Sequence, residues 1–172
     1  MGPIRAELEI DAPRERIFDL IGDLSARPSF TDHFLSDFHL TRIEPRGVGA
    51  GARFRVKAPP RSVWMDTAIV EQEEGTRIVE EGACGRSNRI PAHTVWELSG
   101  GTGGLTAVTV THWTAPTNPL DRALETLSGG SFWIERGWRE ALCRLREAIE
   151  NEAPAGERIA VAGGNRYATG IA

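Results

Sequence analysis

Few side chains in this sequence have the type and spacing for chemistry, and His112 leads them. It falls in phase with Val108 and Val110 in the run Leu105 to Ala115, so a two-residue period sends all three to one face. A buried neutral imidazole there would orient a ligand carbonyl or serve as a general acid or base. A core histidine satisfied by a neighbouring hydroxyl or carboxylate is the simpler reading, and a place beside a pocket fits both. Trp96 and Leu98 share a face of the run Thr94 to Ser99. With Trp64, Trp113, Trp133 and Trp138 the chain holds five tryptophans against one tyrosine. That imbalance favours an aromatic lining, the way apolar pockets hold flat ligands, over a polar catalytic pocket. For each tryptophan singly, plain core is the alternative.

Met65 lies in the run Ser62 to Glu73, whose phase is ambiguous; Val63, Met65 and Ile69 inward and Asp66 outward is the favoured choice. Gly129, Gly130 and Gly137 each cost about 1 kcal/mol in a helix interior relative to Ala. Missing side chains would leave room for a ligand, although Gly129-Gly130 equally ends a short helix. The expected lining is therefore Met65, Trp96, Leu98, Val108, Val110, His112, Trp133, Gly137 and Trp138, with His112 the best catalytic candidate. Asp66, Glu80, Glu81 and Arg89 read as surface, because an inward carboxylate is expensive unless paired. His33, His39, His93 and His112 lack ligand spacing, so no metal is expected. Cys84 and Cys143 read as small buried hydrophobes. There is no nucleophile elbow, Walker loop or dinucleotide fingerprint, and no cofactor is expected.

The elements that must position these residues follow from periodicity. Ile4 to Ile10 alternates as a half-buried strand. Pro13 suits the first turn of a helix that Asp11 or Ala12 caps, with Ile17, Leu20, Ile21 and Leu24 at helical spacing. A second short helix is expected from Pro28 to Leu35, with Phe30 and Phe34 on one face. Strands are expected at Phe38 to Glu44, around Arg53 to Ala58 with Arg53, Arg55 and Lys57 outward, at Ser62 to Glu73, Thr76 to Cys84, Thr94 to Ser99 and Leu105 to Ala115. Glycine-bearing turns join them, which makes the sheet antiparallel. Asn118-Pro119 opens a helix carrying Leu120, Leu124 and Leu127. A long helix runs from about Ser131 to Glu150 on an apolar stripe.

The chain has 172 residues, room for one domain with its own core. Hydrophobic residues form 40% and charged residues 26%, ordinary for a globular protein. A net charge of −4 lacks the basic excess of a duplex-binding domain, so no nucleic acid partner is expected. No apolar run approaches the ~20 residues of a membrane span, and no signal peptide is evident. A soluble, cytoplasmic monomer or homodimer without membrane insertion is the expectation. The domain should occupy residues 1–152, followed by a Gly- and Ala-rich tail over 153–172.

The order strand, two short helices, about six antiparallel strands and a long helix resembles the START-like or SRPBCC superfamily, in particular its polyketide cyclase/dehydrase-like branch. The run from Glu9 to Asp23 resembles that family's opening strand and first helix. Thr94 to Leu98 and Thr106 to Thr111 resemble its last two strands. The resemblance implies an α+β helix-grip fold: a seven-stranded curved antiparallel sheet around a long C-terminal helix, with two short helices after strand one. It implies a cavity between sheet and helix for a lipid, polyketide or quinone-like molecule. A polyketide aromatase/cyclase or dehydratase, and an interaction module with a closed cavity, are the alternatives. The family's proline-tryptophan sequence after the second helix is missing, and Arg27-Pro28-Ser29-Phe30 stands in its place.

Overall fold

A computed structural model describes residues 1–58, 61–85, 88–127 and 130–151, with the backbone alone for Arg61 and residues 124–127. The strands are β1 (Ile4–Ile10), β2 (Leu35–Leu40), β3 (Gly51–Ala58), β4 (Arg61–Glu73), β5 (Arg77–Cys84), β6 (Ile90–Gly100) and β7 (Thr106–Thr114). The helices are α1 (Arg14–Gly22), α2 (Pro28–Thr31), α3 (Pro119–Leu127) and α4 (Gly130–Glu150). The strands form one antiparallel sheet in the order β1-β7-β6-β5-β4-β3-β2. This is the expected α+β helix-grip architecture. The tail over 153–172 and Gly129 lie outside the described residues.

Alternation builds the sheet. In β1, Ile4, Ala6 and Ile10 are buried while Arg5 and Glu9 face outward or partly so. The sheet curls where backbone crowds backbone. A Cβ on Gly82 of β5 would fall 1.8 Å from the Asp66 carbonyl oxygen of β4, so only glycine allows this approach. Two register shifts add bends, one in β4 between Ile69 and Glu71 and one in β2 between Ser36 and His39.

The β2 shift corrects the sequence reading. The second helix stops at Thr31, and the strand begins at Leu35 and ends at Leu40. Leu35 and Leu40 are both buried although an odd spacing should place them on opposite faces. The extra residue of the bulge restores the phase, with Asp37 at φ +53°. A period-two reading has no way to register an inserted residue.

Pro13 sits at the N-cap of α1, and its carbonyl accepts from Arg16 and Ile17. Asn118 caps α3 through its Oδ1, 2.9 Å from the Leu120 amide. On α4 the buried residues Trp138, Ala141, Leu142, Leu145 and Ile149 form one stripe. The opposite face carries Glu135 with Arg139 (2.6 Å) and Glu140 with Arg144 (2.9 Å). The stripe packs on β1 and α2 across the concave face of the sheet. Antiparallel pairing brings the ends of β3, β5 and β7 to one end of the sheet, the end toward which His112 lies on β7.

Candidate ligand site between the sheet and the C-terminal helix

His112 is the penultimate inward residue of β7. Its neighbours in register are Ile4 on β1 and Thr94 on β6. The ring is buried, and Nδ1 lies 2.9 Å from Thr94 Oγ1. Burial pushes its pKa down to about 4, with smaller contributions from His93 and the amino terminus of Met1. The imidazole is therefore neutral at pH 7.

Trp138 of α4 faces it, with ring centroids 6.0 Å apart. The Trp138 indole also meets Trp96 edge-on at 5.3 Å and Phe34 at 5.1 Å. Trp96 in turn meets Phe30 at 6.5 Å. Sheet, α2 segment and C-terminal helix thus each contribute aromatic rings to one buried group. Edge-on pairs of this kind add about 1 kcal/mol each beyond the area they bury.

Behind Trp96 lies a buried ionic network. Glu80 and Arg27 are each only 3% exposed and pair at 2.7 Å. Glu80 Oε1 also accepts from Trp96 Nε1 at 2.9 Å, and Oε2 from Thr67 Oγ1 at 3.3 Å. Arg27 donates to the Ile21 carbonyl at 2.9 Å, and its guanidinium lies 5.1 Å from the Trp96 ring centre. The Trp96 N–H is therefore already engaged. The Trp138 N–H, also buried, has no partner among the described residues.

The structure brings Trp96, His112 and Trp138 together, and Val110 lies beside Trp96 in register. Leu98 and Val108 pair with each other deeper in the core, about 13 Å along the strand from His112. Met65 points inward with Ile69, but sits three strands from β7, roughly 14 Å across the sheet. It neighbours Phe54, whose ring stacks on Phe38 at 5.3 Å.

Four expectations need correction. Trp133 is 39% exposed and meets Phe132 edge-on, apart from the buried group. Five residues of helix rotate it about 140° away from Trp138. Gly137 leaves no room for a ligand, because a Cβ there would meet the Phe34 ring at 2.7 Å. Cys143 is exposed, whereas Cys84 is buried. Glu80 is core rather than surface, while Asp66, Glu81 and Arg89 keep solvent access. The partner that lets Glu80 stay buried is Arg27. The available signal was the inward phase of Glu80 with Ile78. Thr94 had no signal, since its role appears only when β6 and β7 pair.

Among the described residues, no group of three or more His, Cys, Asp or Glu side chains is placed to hold a metal ion. No described helix is long and apolar enough to cross a membrane.

Solved structures share this architecture. TTHA0849 from Thermus thermophilus superposes with a TM-score of 0.68 at 19% identity, covering 88% of this chain and 99% of that one. A START superfamily protein from Mycobacterium smegmatis gives 0.63 at 14% identity, with 88% and 99% covered. DynU16, from the dynemicin biosynthetic locus, gives 0.59 at 18% identity, with 90% of this chain and 49% of that one covered. At such identities the likeness concerns the fold. No curated protein matches the sequence. A family model matches residues 1–150, nearly all of the described chain, and the protein belongs to the family described as polyketide cyclase/dehydrase and lipid transport.

Proposed function

We propose that this protein binds a hydrophobic small molecule, of lipid, polyketide or quinone-like character, between the concave face of the sheet and α4, without transforming it. The observation that carries the proposal is the uncharged, aromatic character of the group around His112: Phe34, Trp96 and Trp138, with Val110 alongside. Both activities named for the family handle apolar molecules, which supports the same reading.

Binding is preferred over catalysis on acid–base grounds. A general base works best with a pKa near the operating pH. His112, held at about 4, is a weak base at neutrality. Glu80 is engaged by Arg27, Trp96 and Thr67 and has no free oxygen to offer.

The test is tryptophan emission. Titration with a panel of fatty acids, quinones and aromatic polyketides should quench or shift Trp96 and Trp138, with Trp96→Phe and Trp138→Phe variants assigning the signal. Emission unchanged by every member of the panel would end this reading. Turnover of any polyketide by the wild type that His112→Ala abolishes would replace it with the enzyme reading.

A further inference from the structure

The group around His112 has a polar pole. Thr94 Oγ1 is buried, and the contact with His112 Nδ1 is its one hydrogen bond among the described residues. A buried hydroxyl proton needs an acceptor, and Nδ1 supplies it. The imidazole proton then resides on Nε2, at the distal edge of the ring. Nε2 has no partner among the described residues. The Trp138 indole stands opposite with its own buried and unpartnered Nε1–H. Indole nitrogen only donates. Two unengaged N–H donors, one from β7 and one from α4, therefore belong to the same aromatic group.

Leaving a buried donor such as the Trp138 N–H unmade is costly, and buried Trp side chains normally find a partner. Trp96, 5.3 Å away from Trp138, has such a partner in Glu80, which makes the unpaired N–H of Trp138 informative. We infer that His112 and Trp138 form a two-donor seat for a single hydrogen-bond-accepting oxygen of the ligand, so that the molecule bound is a flat apolar body carrying a ketone, quinone or similar oxygen at its buried end. A hydrocarbon without such an oxygen leaves both donors unsatisfied. A ligand that leads with an ammonium group finds no acceptor in this pair. The inference rests on the small-molecule reading above and sharpens it to a chemical class and an orientation.

A matched pair of probes tests it. Fluorenone and fluorene share a tricyclic body and differ by one carbonyl oxygen. Calorimetry should show fluorenone binding about tenfold more tightly, the effect of two neutral hydrogen bonds after desolvation. The infrared carbonyl stretch of bound fluorenone should move to lower frequency than in an apolar solvent. Trp138→Phe keeps an aromatic ring and removes the N–H, so the affinity ratio should fall toward about threefold or less, and His112→Phe should do the same. Equal affinities with an unshifted carbonyl overturn the two-donor seat and leave the small-molecule reading standing. Binding of neither probe overturns both. A preference for fluorenone that survives both substitutions overturns the assignment to His112 and Trp138.

Discussion

At the scale of single residues, the Arg27–Glu80 pair is the feature with the largest energetic stake. Removing one partner of a buried ion pair strands the other charge, at a cost of about 3–5 kcal/mol. Glu80→Ala should therefore lose about that much unfolding free energy and unfold at a much lower urea concentration than the wild type. Replacing both partners with apolar residues, as in Arg27→Met with Glu80→Leu, should cost far less than the sum of the single changes. Additive losses in this double-mutant cycle would show that the pair is not coupled. The Glu80 substitution should also alter Trp96 emission, since the indole N–H loses its acceptor. Residue chemistry of this kind was only half legible beforehand. Strand phase placed His112 and Trp96 inward, because β-branched and aromatic neighbours mark the buried face of β6 and β7. In β5, Glu80 shares the inward phase of Ile78, opposite Thr94 on β6, so alternation itself points it inward and only its charge argued for the surface. A charge can occupy that position only because a residue 53 positions earlier in the chain supplies the counter-charge, and no local pattern encodes such a pairing.

At the scale of elements, α4 and the segment after α2 lock together through the absence of a side chain. Phe34 lies against the bare backbone of Gly137, and His33 Nε2 lies 3.0 Å from the Gly137 carbonyl oxygen. Two effects of opposite sign meet in Gly137→Ala. Helix propensity favours alanine by about 1 kcal/mol. Overpacking at a contact of 2.7 Å opposes it by about 1–3 kcal/mol. The Phe34 ring is held by Trp138 on one side and by His33 on another, so it cannot retreat freely, and the steric term wins. A net loss of up to about 2 kcal/mol in chemical denaturation is expected, with Phe34→Leu in the same chain recovering part of it. A gain in stability would show that the ring moves aside. The helix itself was legible from its stripe, as were the strands from their alternation and turns. What escaped was the use of Gly137: a glycine in a helix announces a close approach without naming the partner. The bulge in β2 escaped for a related reason, since one inserted residue inverts the apparent face of everything beyond it.

At the scale of the whole molecule, the fold stores a pH dependence that can be assigned to one ring. His112 titrates near 4 in the native protein and near 6.5 when exposed. Between those values the unfolded chain binds a proton that the folded chain refuses, so stability rises with pH across this window. Stability is complete above about pH 6.5 and declines as the pH falls toward 4, by on the order of 3 kcal/mol for this group. Burial also pushes His33 down, and it acts in the same direction. Asp23 adds a separate, more acidic loss. Burial pushes its carboxyl up, but hydrogen bonds from Ser25 and Arg46 and the Arg46 charge outweigh this, and the net shift is downward. The titratable groups that act on His112 are His93 across the sheet and the amino terminus of Met1, which is itself anchored on Thr114; Thr94, Trp138 and Ile4 around it carry no charge. His112→Gln removes the ring and leaves those neighbours in place. Unfolding free energies of wild type and variant, measured by urea titration from pH 7 to pH 4, should therefore converge as the pH falls, because only the wild type loses the histidine contribution. Curves that stay parallel would mean that the ring takes up its proton without leaving the fold, and the apolar enclosure around it would then have to be open to water.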